Sequence, residues 1–184
     1  DGTNNYLNGL PIYAVSLGLL RKGKPVVGAI FIPSTTNPEG SIFHASLGGG
    51  AFQDGQPIAV PQNAEPQGSQ LTVLPAFYSR VFRVKRGLRR QLGEVRAPGS
   101  IAYELALTAL GTFQYAVFNG ARVWDIAAGI PLVTEAGGVA LSHGWRGGGW
   151  RPFEGFASAS GAVPSLKDLK DWRASWIFGN PAIA

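Results

Sequence analysis

The chain has 184 residues, a net charge of +5, and 45% hydrophobic against 15% charged residues, which suits one well-buried globular domain and excludes a disordered segment. With no cysteine and two histidines, His44 and His143, disulfides, thiolate metal sites and a histidine-rich zinc centre are excluded. No apolar run approaches the roughly 18 residues of a membrane span, so no membrane partner is expected.

The positive charge is local. Arg80, Arg83, Lys85, Arg86, Arg89 and Arg90 fall within residues 80–90 without an acid. The remainder is near neutral, and a general nucleic-acid partner is not expected. Zero cysteines fits a reducing, cytoplasmic setting. The chain also lacks methionine, so Asp1 is not expected to be the natural start, and a leader cannot be judged.

In chain order, Ile12–Leu20 and Pro25–Pro33 read as strands around the turn Arg21-Lys22-Gly23-Lys24. Ser41–Ala45 and Ala51–Gln53 continue the pattern past Gly48-Gly49-Gly50, and Asp54-Gly55 is a tight-turn dipeptide before Gln56-Pro57-Ile58. Residues 1–60 thus form an antiparallel meander. After a polar connector, Gln70–Leu74 is a short strand. Val81, Val84, Leu88 and Leu92 predict a helix over 79–92.

Ser100 is placed to cap a helix that runs to Leu110 and ends at Gly111. Thr112–Phe118 alternates like a strand, and Asn119-Gly120 is expected to turn the chain. A helix from Val123 to Ala136 follows, interrupted by Pro131 and stopped by Gly137-Gly138. Val139–Ser142 is a strand and 143–152 a Gly/Trp/Arg loop that Trp145 and Trp150 fold onto the domain. A strand near Gly155–Ala159 and a helix from Pro164 to Trp172 complete residues 70–172. Strands first and αβ alternation later define one layered α/β domain over 1–184.

The residues able to carry chemistry are few. Asp1 and Asp125 bring oxygen donors suited to a hard cation such as Mg²⁺, if folding unites them. Gly2 and Thr3 add free amide N–H groups and a hydroxyl for a phosphate. Ser100 lacks a Gly-x-Ser-x-Gly elbow and is better read as a cap than as a nucleophile. Taken alone, Asp125 is equally a helix-start carboxylate, and the basic segment a solvated helix face. His44, on a strand, reads as structural.

Asp1-Gly2-Thr3, Trp124-Asp125 and the closing Glu135-Ala136-Gly137-Gly138 stand in order around Gly28-Ala29-Ile30, Gly50-Ala51-Phe52, Gly55-Gln56-Pro57-Ile58 and Arg96 with Gly99-Ser100. This set resembles the inositol monophosphatase family of Mg²⁺-dependent, lithium-sensitive phosphatases over residues 1–172. The resemblance implies the α+β sandwich of the inositol monophosphatase/fructose-bisphosphatase type, a homodimeric parent, and a small phosphate ester as substrate. It makes Asp1 and Asp125 metal ligands, Gly2 and Thr3 phosphate binders with Thr3 positioning the attacking water, and Ser100, Ile101 and Phe118 the substrate lining. Paired cations suit the reaction, because phosphate monoesters hydrolyse very slowly uncatalysed.

The same resemblance marks departures. The family's first signature, Asp-Pro-Ile-Asp-Gly-Thr, is present here only from its second Asp, and an upstream Glu is absent, so the 184-residue polypeptide is expected to be inactive. Helices that the family lays on the first sheet are absent too, which predicts an apolar surface around Ile12, Val15, Leu17 and Ile30. Where inositol-processing members carry a hydroxyl-binding Glu, this chain has Phe118, which argues against inositol phosphate itself. A nucleotide 3′-phosphate or a sugar bisphosphate fits the same machinery. The competing class is a non-catalytic anion- or RNA-binding module acting through residues 80–90.

Overall fold

In the computed structural model, which describes residues 1–34, 37–63, 65–143, 149–157 and 161–183, two β-sheets enclose a layer of helices. A short helix α1 (Thr3–Leu7) leads into β1 (Val15–Arg21), β2 (Lys24–Ile32), β3 (Ser41–Ser46), β4 (Gly50–Gln53) and β5 (Gln56–Pro57), an antiparallel sheet in sequence order. Two of its hairpins turn on Lys22-Gly23 and Asp54-Gly55, all four residues at positive φ, as tight two-residue connections require. The meander expected from the sequence is therefore present.

Period-2 alternation decides the faces of this sheet. Ile30, Ile32, Phe43, Ala45 and Ala51 point inward and are buried. Val15, Leu17, Leu19, Val27 and Ile42 point outward and remain exposed. Of the expected apolar surface, Val15 and Leu17 are correct, but Ile30 is fully buried. It sits opposite Phe43 in the register and falls on the helix-facing side.

The second half supplies β6 (Leu71–Val73), α2 (Tyr78–Val81), β7 (Glu94–Arg96), α3 (Ile101–Leu110), β8 (Phe113–Ala121), α4 (Val123–Ile126), α5 (Gly129–Glu135), β9 (Val139–His143), β10 (Arg151–Pro152), α6 (Leu166–Asp171) and β11 (Ala174–Gly179). Its sheet runs β10-β9-β11-β8-β6-β7, with β6 parallel to both β7 and β8 and the other pairs antiparallel. Helices α3 and α5 pack against both sheets. The core between them holds Leu105, Ile126, Leu132, Val133, Trp176 and Phe178, all buried. Each such side chain contributes about 1.5–3 kcal/mol of burial.

Four expectations need correction. The helix over 79–92 is only α2 plus a 3-10 turn at Arg86–Arg90. Phe82 is extended (φ −118°, ψ 139°), Gly87 interrupts, and like charges at Arg86, Arg89 and Arg90 repel at helical spacing. The helix over 123–136 is divided into α4 and α5, because Pro131 has no N–H to give Ala127 and its ring crowds that carbonyl. Asn119-Gly120 does not turn the chain. β8 runs through it as a bulge, where the register against β11 shifts between Ala174 and Trp176. Gly155–Ala157 form no strand, and residues 158–159 lie outside the described residues. Residues 144–148 of the predicted loop, with Trp145, do so as well.

Besides the short α1, β7 and β10, β11 went unread; it lies between β9 and β8 and carries the buried Trp176 and Phe178. Its signal was present as the apolar run Ser175-Trp176-Ile177-Phe178 ahead of Asn180-Pro181. No helix among the described residues is long and apolar enough to cross a membrane.

Candidate active site

Asp1 is drawn into the domain by a two-way backbone pair with Ala14. Its ammonium donates to the Ala14 carbonyl at 2.7 Å, and the Ala14 N–H donates to its carbonyl at 2.9 Å. Gly2 then takes a left-handed conformation, φ 83°, and a Cβ there would lie 2.8 Å from the Ile12 carbonyl. Glycine is thus required both by backbone shape and by space. Thr3 opens α1 and is exposed.

The Asp1 carboxylate faces the start of α3. Its Oδ2 accepts the Ser100 hydroxyl at 2.9 Å and the Ala102 N–H at 2.7 Å. Ser100 occupies the N-cap position as expected, yet its side chain makes no capping bond. The cap is supplied by Asp1 instead, which favours the helix dipole as well. Asn5 supports the arrangement by donating to the carbonyls of Ile12 and Pro98, both at 2.8 Å.

Asp125 lies in the first turn of α4, where its Oδ2 accepts the Arg122 N–H at 3.0 Å. The flanking Arg122 guanidinium stands 5.1 Å from the centre of the exposed Trp124 ring. What seats the turn that follows α4 is a paired glycine gap: Gly18 and Gly28 are cross-strand partners. A Cβ on Gly18 would meet Ala127 Cβ at 2.8 Å, and one on Gly28 would collide with the Ala128 carbonyl. Asp125 is thereby held beside β1, the strand that follows Ala14 and its partner Asp1. Helices α3 and α4 also touch, so both carboxylates sit at N-termini of neighbouring helices. No hydrogen bond or ion pair joins them among the described residues.

The substrate-lining expectations fare less well. Phe118 is buried and its ring packs 6.0 Å from that of Phe178, so it belongs to the core; β8 alternation turns it toward the helix layer. Ser100 is buried with its hydroxyl committed to Asp1, and Ile101 packs partly buried against the core. Sequence reasoning missed Ala102, whose contribution is a backbone N–H that no residue type announces. It also missed Glu104. That carboxyl is buried, accepts the Gly99 N–H at 2.8 Å, and has its pKa pushed up to about 7 by burial, against the lowering effect of the Gly99 and Ser100 backbone.

The donor set is two carboxylates, each with an oxygen, Oδ1, that has no hydrogen bond among the described residues. Hard oxygen donors of this kind fit a divalent cation, and Mg²⁺ is commonly held by one or two carboxylates plus water and a substrate phosphate. Among the described residues no three histidines, cysteines or acids cluster to hold a metal ion.

Two sheets around a helical layer, with carboxylates presented at helix starts, define an α/β sandwich. The inositol monophosphatase family pattern matches residues 1–174, and the chain belongs to that family, whose members are metal-dependent phosphoric monoester hydrolases. It is 34% identical over 146 residues to a fructose-1,6-bisphosphatase/inositol-1-monophosphatase of Aquifex aeolicus, covering 76% of this chain and 53% of the relative. It is 37% identical over 143 residues to the Nus factor SuhB of Xylella fastidiosa, covering 75% and 50%. The solved inositol monophosphatase of an Anabaena (Nostoc) species superposes with a TM-score of 0.66 at 26% identity, over 100% of this chain and 66% of the other. The chain spans about half the length of the curated relatives it matches.

Proposed function

We propose that the chain forms the phosphate-facing portion of a Mg²⁺-dependent phosphomonoesterase acting on a small phosphorylated metabolite. The observation that carries this reading is the placement of Asp1 and Asp125 at the N-terminal turns of two touching helices, each with a carboxylate oxygen uncommitted. A divalent cation held there supplies charge neutralisation on phosphate oxygens and a more acidic bound water.

The chain's own groups have separate tasks. Asp1 and Asp125 would hold the ion. Gly2 and Thr3 would face the phosphate, with the Thr3 hydroxyl orienting water. The Ser100 hydroxyl and the Ala102 N–H fix the Asp1 carboxylate, so its free oxygen keeps one direction. A nucleotide 3′-phosphate or a sugar bisphosphate is the alternative substrate within the same reading. A cytoplasmic setting and a homodimeric whole protein belong to the same reading.

With two carboxylates the 184-residue polypeptide should bind Mg²⁺ only at millimolar levels and turn over slowly, if at all. Mn²⁺ as a paramagnetic stand-in tests the pairing directly. It should broaden the amide signals of Ala102 and of Arg122–Ile126 at the same concentration, and Asp125→Asn should abolish both effects. Broadening of one group alone would separate the carboxylates and end the reading. On a longer polypeptide carrying the whole Asp-Pro-Ile-Asp-Gly-Thr signature, metal-dependent phosphate release that survives Asp125→Asn would do the same.

A further inference from the structure

The second sheet has an outer face, turned away from α3 and α5. Along β8 the alternation that sends Ala116 and Phe118 into the main core sends Tyr115 and Val117 to a separate cluster with Leu74. Residues 78–92 cross this face, and Tyr78, Phe82 and Leu92 pack against that cluster. Between the segment and the sheet lies a half-open cleft of about 650 Å³, within the range of small-molecule sites.

Its chemistry is divided. The sheet side is Val117 and Ile177 from adjacent strands with Leu74 just past β6, and Phe82 and Leu88 of the crossing segment line the other side. Two polar groups on the wall are already occupied: the Tyr115 hydroxyl donates to the Leu92 carbonyl at 2.7 Å, and Ser175 donates to Asn119 Oδ1 at 3.0 Å. Arg83 and Lys85 also line the cavity, both exposed, and no acid lines it. The one ion pair among the described residues is Arg96 with Glu94, so neither cation has a carboxylate partner.

We infer that this cavity is a binding site for a single-tailed amphipathic anion, its apolar chain lying on the strand floor and its acid group between Arg83 and Lys85. The site lies across the second sheet from the carboxylates of the catalytic reading and stands independently of it. An RNA strand would use the cations but leave the apolar interior unused, which is why the acyl anion is the better match.

Decanoate binding to the 184-residue chain, followed by titration calorimetry at low salt, tests the inference. One saturable site is expected, with affinity rising about fourfold per methylene from octanoate to decanoate. Decyltrimethylammonium should not compete. Arg83→Glu/Lys85→Glu, on exposed residues with the circular dichroism spectrum unchanged, should weaken decanoate at least fivefold. Leu17→Lys, on the outer face of the first sheet, should not weaken it. No saturable binding, equal affinity in the charge-reversed variant, or loss in Leu17→Lys would each overturn the inference. So would salt-sensitive binding of an RNA oligonucleotide at Arg83 and Lys85 by a chain that ignores decanoate.

Discussion

The carboxylate of Asp1 caps a helix that begins a hundred residues downstream, accepting the Ala102 N–H at 2.7 Å across a separation of 101 positions. The side chain proposed to hold the metal ion is therefore also the cap of α3. Removing a cap of this kind typically costs about 0.5–2 kcal/mol.

Asp1→Ala should accordingly lower the unfolding free energy by about 1–2 kcal/mol, with Asp1→Asn losing less because its amide oxygen can still accept the Ala102 N–H. Urea unfolding with a constant m-value measures this. Equal losses in both variants would show that charge, not the hydrogen bond, matters most.

Glu104 predicts a pH dependence. Its folded pKa, about 7, lies above the ordinary 4.5 because burial disfavours the charged form. The protonated group binds its proton more tightly when folded, so its stabilisation is fully present below about pH 4.5 and is lost as pH rises toward 7. Glu104→Gln keeps an acceptor for the Gly99 N–H and should flatten that slope. At pH 8 it should exceed the parent by an amount on the order of 3 kcal/mol at most. Thermal unfolding between pH 4 and 8 provides the check, and parallel curves for both proteins would refute it.

The gap between Gly18 and Gly28 should be intolerant of any side chain. Gly28→Ala would drive a methyl into the Ala128 carbonyl, and because that opposing group is backbone, relief requires moving the turn between α4 and α5. A loss of about 1–3 kcal/mol is expected, or a fall in Tm of a few degrees per kcal/mol for a chain of this size. Gly48→Ala provides the contrast. That site is open, and only its positive φ of 76° opposes the change.

Among the described residues nothing covers the outer face of the first sheet. Val15, Leu17, Leu19 and Ile42 stand 53–68% exposed there, a contiguous apolar surface of the kind that drives association. The chain should self-associate at micromolar concentration, and Leu17→Lys with Leu19→Glu should restore a monomer in sedimentation velocity. A parent chain that stays monomeric throughout would contradict this.

The meander was legible because local rules govern it: turn dipeptides fix hairpins and alternation fixes faces. The Gly111 helix stop, φ 88°, was legible for the same reason. Ile30 was misassigned because one step of register exchanges the two faces, and register depends on the partner strand. The segment 78–92 failed as a helix because apolar spacing alone cannot weigh charge repulsion or the pull of the sheet beneath. The carboxylates were visible as residues, but their setting was not. Ala102 contributes only backbone, and the Gly18–Gly28 gap matters through Ala127 and Ala128, far away in sequence. Phe118 matched a family position while its environment had become core.

The order in which these parts emerge from a ribosome follows from the same layering. The meander is complete at Pro57, whereas the helices that fill its inner face begin at Ile101 and Gly129. The Glu135 carboxylate that grips the Gly48 and Gly50 amides at 2.9 and 3.0 Å arrives later still. At about 5–20 residues per second, a nascent sheet stays wet on both sides for several seconds. Expression at low temperature, or with a holdase that shields strands during that interval, should decide how much of the polypeptide reaches its native state.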